Sequence, residues 1–84
     1  MTRPNYEEFV AELVKPLVAF PEDVRVATLA EEKDEVALQV MVNANDLGRV
    51  IGKKGRIANS IRTIAFAYGA RNGQRVEIAI DAFN

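Results

Sequence analysis

The run Gly48-Arg49-Val50-Ile51-Gly52-Lys53-Lys54-Gly55-Arg56-Ile57 gathers four cations and three aliphatic side chains around two glycines three residues apart. The chemistry open to such a run is the holding of an anion. Glycine lacks Cβ, so it reaches positive φ and lets another molecule's backbone come close. If a helix begins at Gly55, its first N–H groups point without partners at whatever lies before the turn, and they attract negative charge. Lys53, Lys54 and Arg56 supply charge of the matching sign. Glycines three apart arise by chance about 0.4 times in a chain of this size, so the pair needs its context. The plainer explanation of Val50, Ile51 and Ile57 is core, and that of the cations is solvated surface.

Catalysis finds little to work with. There is no histidine and no cysteine, which removes the usual general base, the thiolate nucleophile and the common metal ligands. The nucleotide-binding pattern GxxxxGK followed by Ser or Thr is not met. Gly48 stands only four before Gly52, and Lys54 follows Lys53. Glu7 with Glu8, and Glu31 with Glu32, are sequence neighbours that read as solvated charge. An enzyme, a metal site and a cofactor are therefore not expected.

The net charge of −1 conceals an asymmetry. Residues 1–42 carry four Lys or Arg against nine Asp or Glu, whereas residues 43–84 carry seven against three. The glycine turn lies in the basic half. A pI near 5.4 does not exclude a polyanionic partner, because the field that matters acts within about 8 Å. Length and an apolar fraction of 49% fit one folded domain, residues 1–84. No apolar run has the length of a membrane span and no signal segment is evident, so a cytoplasmic protein is expected.

The elements that must position the turn follow from periodicity. Met1 to Pro4 read as a loose end. Tyr6, Phe9, Val10, Leu13 and Leu17 make one face of a helix over about 5–20, capped by Asn5 with Glu8, kinked at Pro16 and ended by Phe20. Val24, Val26, Thr28 and Ala30, then Val36, Leu38, Val40 and Val42, alternate with outward residues. They predict a hairpin over about 23–43 around a four-residue polar loop, Glu31 to Asp34. Asn45 or Asp46 caps a short helix, and a second helix runs from Gly55 to Tyr68. Its buried stripe is Ile57, Ile61, Ile64, Ala65 and Tyr68, and Gly69 stops it, so helix, turn and helix fill about 46–69. Phe66, on the opposite side, is read first as touching a neighbouring helix and otherwise as an interface residue. A last strand over about 75–82 turns Val76, Ile78 and Ile80 inward. The order helix, strand, strand, helix, helix, strand predicts a two-layer α+β domain, three strands with helices on one face.

That order, with Val50-Ile51-Gly52-Lys53-Lys54-Gly55 between the central helices, resembles a type II KH domain over nearly the whole chain. The run Gly48 to Ala58 and the short length are most similar to the small bacterial single-KH RNA-binding proteins of the KhpA family. One departure is Ala58, where the wider pattern has a larger aliphatic residue. The resemblance implies a groove between the turn and the last strand that holds about four nucleotides of single-stranded RNA. Arg49, Val50, Ile51, Gly52, Lys53, Lys54, Gly55, Arg56 and Ile57 would form one side of it. Arg71 and Arg75 would form the far wall, although solvated surface is the plainer explanation of those two. Single-stranded DNA would meet the same contacts. The resemblance also implies a dimer or a complex with a larger KH protein of the KhpB type. An RNA chaperone tied to cell length and peptidoglycan homeostasis is the role it implies. A rival expectation is a protein-interaction module on the same scaffold, with the acidic hairpin or Phe66 as its working face.

Overall fold

A computed structural model describes residues 3–83 of the chain. Helix α1 spans Tyr6–Val14. Its start is set by Asn5, whose side-chain oxygen accepts the Glu8 N–H at 2.9 Å while its amide donates to the Glu8 carboxylate at 3.3 Å. Tyr6, Val10 and Val14 form the buried face, one helical turn apart. The α-helix stops before Pro16, which sits in a 3-10 turn at Lys15–Leu17, so the expected kink is instead an ending. Leu17, expected on the buried stripe, is consequently exposed. The expected loose end is also corrected: Arg3 and Pro4 are tied down, and Met1 and Thr2 lie outside the described residues.

Strands β1 (Arg25–Glu32) and β2 (Glu35–Val42) form an antiparallel hairpin. The turn is tighter than expected, since Glu32 pairs with Glu35 and only Lys33 and Asp34 remain in the loop. Thr28 faces Leu38 but Ala30 faces Ala37, leaving Leu29 bulged out of the ladder. A bulge inserts one residue and so resets which face each later residue takes. Ala30, expected inward, turns outward, and Glu31 turns toward the helices. There it meets Arg3, which donates to Glu31 at 2.8 Å and to Glu7 at 2.8 Å.

Helix α2 (Leu47–Ile51) and helix α3 (Arg56–Arg71) carry the chain to β3 (Arg75–Ala82), which pairs parallel to β2. A helical crossover of this length is what parallel pairing requires. The order is β1-β2-β3, leaving β3 at an edge. Val36, Leu38, Val40, Val42, Val76 and Ile78 are buried beneath the helices. The α+β two-layer arrangement is as the sequence predicts.

Two readings of α3 change. Gly69 does not stop the helix, which continues to Arg71 and turns at Gly73, where φ is 73°. Gly69 is needed where α3 presses on β3: a Cβ there would stand 2.4 Å from Val76 Cγ2 and 2.8 Å from the Gln74 carbonyl. The buried row is Ala58, Ile61, Ala65 and Gly69, mostly small residues, while Ile64 is 45% exposed. Close approach of helix to strand selects small side chains, and the stripe is rotated accordingly.

Candidate nucleic-acid interface

The α2–α3 junction is built on three successive backbone choices. Gly52 takes φ 75° and ψ 174°, a region open in practice only to glycine. A Cβ on it would also fall 2.6 Å from Ile57 Cγ1. Lys54 then adopts φ 58° and Gly55 φ 76°, both left-handed. The turn is closed by Gly52 N–H to the Gly48 carbonyl at 2.9 Å and Gly55 N–H to the Gly52 carbonyl at 3.1 Å. No side chain caps α3 at Gly55; the Arg56 N–H is taken by the Lys53 carbonyl within the turn.

Lys53, Lys54 and Arg56 project from this turn, exposed. None is in an ion pair among the described residues. Arg49 is more than half exposed and stands 3.4 Å from the Asp46 carboxylate. The aliphatic residues divide. Ile51 and Ile57 are half-buried at the turn, but Val50 is fully buried and belongs to the core, so its expected place on a groove floor is corrected. Ala58, too, is core. Arg71 is exposed at the end of α3, and Arg75 at the start of β3. Arg75 lines a hollow between α3 and β3 and lies 3.4 Å from Glu77.

Three residues take places that were not foreseen. Asp46 does not cap α2 through its side chain; Asn43 instead accepts the Asn45 N–H at 2.8 Å in the preceding turn. The Asp46 carboxylate is fully buried and accepts the N–H groups of Ala19 and Phe20 at 2.9 and 3.0 Å. It thereby ties the segment after α1 to the start of α2, a role no local pattern announces. Arg62 Nε donates to the Ile78 carbonyl at 3.2 Å across the hollow. Phe66 lines the same hollow and is 49% exposed, so no neighbouring helix covers it.

Among the described residues there is no cluster of His, Cys, Asp or Glu able to hold a metal, and no helix is long and apolar enough to cross a membrane.

The family model described as KhpA/KhpB, KH domain matches residues 7–80. The chain is 45% identical over 74 residues to the RNA-binding protein KhpA of Listeria monocytogenes, covering 88% of this chain and 96% of that one. It is 42% identical over 81 residues to RNA-binding protein KhpA of Bacillus subtilis, covering 95% and 98%. In shape it is similar to part of a solved Aquifex aeolicus Era chain, with a TM-score of 0.73 at 20% identity over 99% of this chain and 33% of that one, a likeness of fold alone. An α+β order with a glycine-bracketed turn between its central helices, and this degree of identity across nearly the full length, place the chain in the KhpA/KhpB KH-domain family.

Proposed function

We propose that this protein binds single-stranded RNA, about four nucleotides at a time, through the Gly52-Lys53-Lys54-Gly55 turn. The observation that carries this reading is the turn itself: two exposed lysines without ion partners among the described residues, set before a helix start with no side-chain cap on a backbone that needs glycine. Phosphate oxygens take the lysine ammonium groups at the positive end of α3. Ile51 and Ile57 offer apolar surface to base faces. The relatives' printed name, RNA-binding protein KhpA, supports the same reading.

Two or three phosphates neutralised on a single strand give a salt slope of about −1.4 to −2.1, which is weak binding for a lone module. Pairing of two modules raises avidity without new contacts. We therefore read the working unit as a dimer or a complex with a larger KH protein of the KhpB type. In that form it acts in the cytoplasm as an RNA chaperone, with cell length and peptidoglycan homeostasis as the family-level role.

The test is Lys53→Asp with Lys54→Asp, followed by fluorescence anisotropy of labelled single-stranded RNA at moderate salt. Binding should be lost while circular dichroism and melting temperature stay near wild type. A double variant that binds as well as wild type removes the turn from the site. The rival, a protein-binding module, draws on the exposure of Ile64 and Phe66. A partner that survives ribonuclease in a pull-down, together with no salt-dependent RNA binding, would favour it.

A further inference from the structure

The helices lie on one face of the sheet, and the residues that alternate onto the other face are exposed or half-buried among those described. The cross-strand register sets them in four rows. The two middle rows carry Ala27, Ala30, Ala37 and Ala79 around Gln39, and the bulged Leu29, 58% exposed, borders them. Alanine favours strands little, so its concentration at the centre of an open face asks for a reason. Small side chains let a second flat layer come close. The end rows are charged: Arg25 and Asp81 stand either side of Met41, and Glu32 and Arg75 either side of Glu35. The corners therefore alternate in sign around the face. Arg25 donates to the Glu22 and Val24 carbonyls at 2.7 and 2.9 Å, and Arg25, Glu32 and Asp81 are in no ion pair among the described residues.

We propose that this face packs on the same face of a second copy, about a two-fold axis that lies between the two sheets and crosses the strands. Alternating corners are complementary to themselves under that rotation. Arg25 comes over the partner's Glu32 and Arg75 over the partner's Asp81, each pair occurring twice. An axis along β2 would also match opposite corners, but it would set Glu35 over its own copy. The crossing axis sets Glu35 over Met41 and Ala37 over Gln39 instead. Sheets stacked in this way lie about 10 Å apart with their strands nearly aligned. Each face measures roughly 14 by 26 Å, small for a stable interface, so the dimer is weak and its ion pairs set orientation more than affinity. The helices, and with them the α2–α3 turn, stay on the outside. The inference rests on the paired-module reading above and gives that pairing a surface; it draws nothing from RNA.

Arg25 and Glu32 stand at opposite ends of β1, about 20 Å apart, so coupling between them has to pass through another molecule. Sedimentation velocity over the micromolar range compares wild type, Ala37→Lys, Arg25→Glu, Glu32→Lys, and Arg25→Glu combined with either Glu32→Lys or Asp81→Lys. Circular dichroism checks the fold of each. Wild type should dimerise, less so as salt rises, and Ala37→Lys should be monomeric. Each single charge reversal should weaken the dimer about tenfold. Arg25→Glu with Glu32→Lys should recover wild-type dimerisation, because the exchanged charges meet across the axis, and Arg25→Glu with Asp81→Lys should not. Recovery by the second double alone overturns the crossing axis. If folded Ala37→Lys dimerises as well as wild type, the interface lies elsewhere: the proposal falls and the pairing stands. A wild type that stays monomeric throughout removes self-pairing and this surface together, leaving RNA binding by the turn untouched.

Discussion

Two corners of this small domain are rich in charge, and they use it in opposite ways. At the N-terminal corner Arg3, Glu7, Glu31, Tyr6 and Gln74 all have internal partners. The Arg3 guanidinium bonds Glu7, Glu31 and the Pro4 carbonyl and lies 5.2 Å from the Tyr6 ring centroid, and the Thr28 hydroxyl donates to Glu7. Beside it the Tyr6 hydroxyl donates to Gln74 at 2.6 Å, and the Gln74 amide reaches the Lys33 carbonyl. At the α2–α3 turn the lysines have no such partners among the described residues, and the backbone is held in conformations that few residues tolerate. The first corner is satisfied and serves the fold. The second leaves its lysines without an ion pair among the described residues. Charge by itself thus says little about function until the pairing is known.

That contrast can be broken or sharpened by substitution. Gly52→Ala should have the largest effect, costing about 2–4 kcal/mol in denaturant melts, since φ and the Ile57 contact both exclude a methyl. A cost under 0.5 kcal/mol would mean that the turn is less constrained than its geometry states. Reversing the charge of Lys53 and Lys54 should weaken RNA binding about a hundredfold and flatten its salt dependence, with stability nearly unchanged.

At the other corner Arg3→Ala should leave RNA affinity alone and lower stability by about 1–2 kcal/mol after allowance for solvent screening. Glu7 is held at about 2 instead of its ordinary 4.5, first by the hydrogen bond from Arg3, with the Thr28 hydroxyl helping and burial opposing. A carboxyl lowered in the folded state stabilises above its unfolded value, and that stability disappears as pH falls from about 4.5 toward 2. The acid limb of a stability–pH curve should therefore flatten in Arg3→Ala, and an unchanged limb would refute the assignment. Tyr6→Phe should have the smallest effect, about 1 kcal/mol from the lost bond to Gln74. A change in RNA affinity in that variant would erase the division between the corners.

How much of this was readable in advance depended on the range of the interaction. The Asn5–Glu8 cap, the alternation through Val36 to Val42 and the glycine turn are local patterns and stand in the structure where periodicity put them. The loss came where a distant element decides. Gly69 has the composition of a helix stop, but the nearness of Val76 gives it another purpose. Ile64 has the hydrophobicity of a core residue, yet small residues occupy the contact with β3 and Ile64 is left outside. At the candidate site Lys53 and Lys54 were foreseen as exposed, whereas Val50 could not be separated from the core by sequence. Arg62 and Asp46 act on backbone groups 16 and 26 to 27 residues away, which no spacing rule reaches.

The extra residue at Leu29 has a consequence for how this strand can change length. Since Thr28 and Ala30 already oppose adjacent residues of β2, excising Leu29 leaves all other pairings and orientations where they are. Removing any single residue from the middle of β2 would turn the buried valines on one side of the deletion to the outer face. Drift in chain length is thus permitted on one side of the hairpin and forbidden on the other.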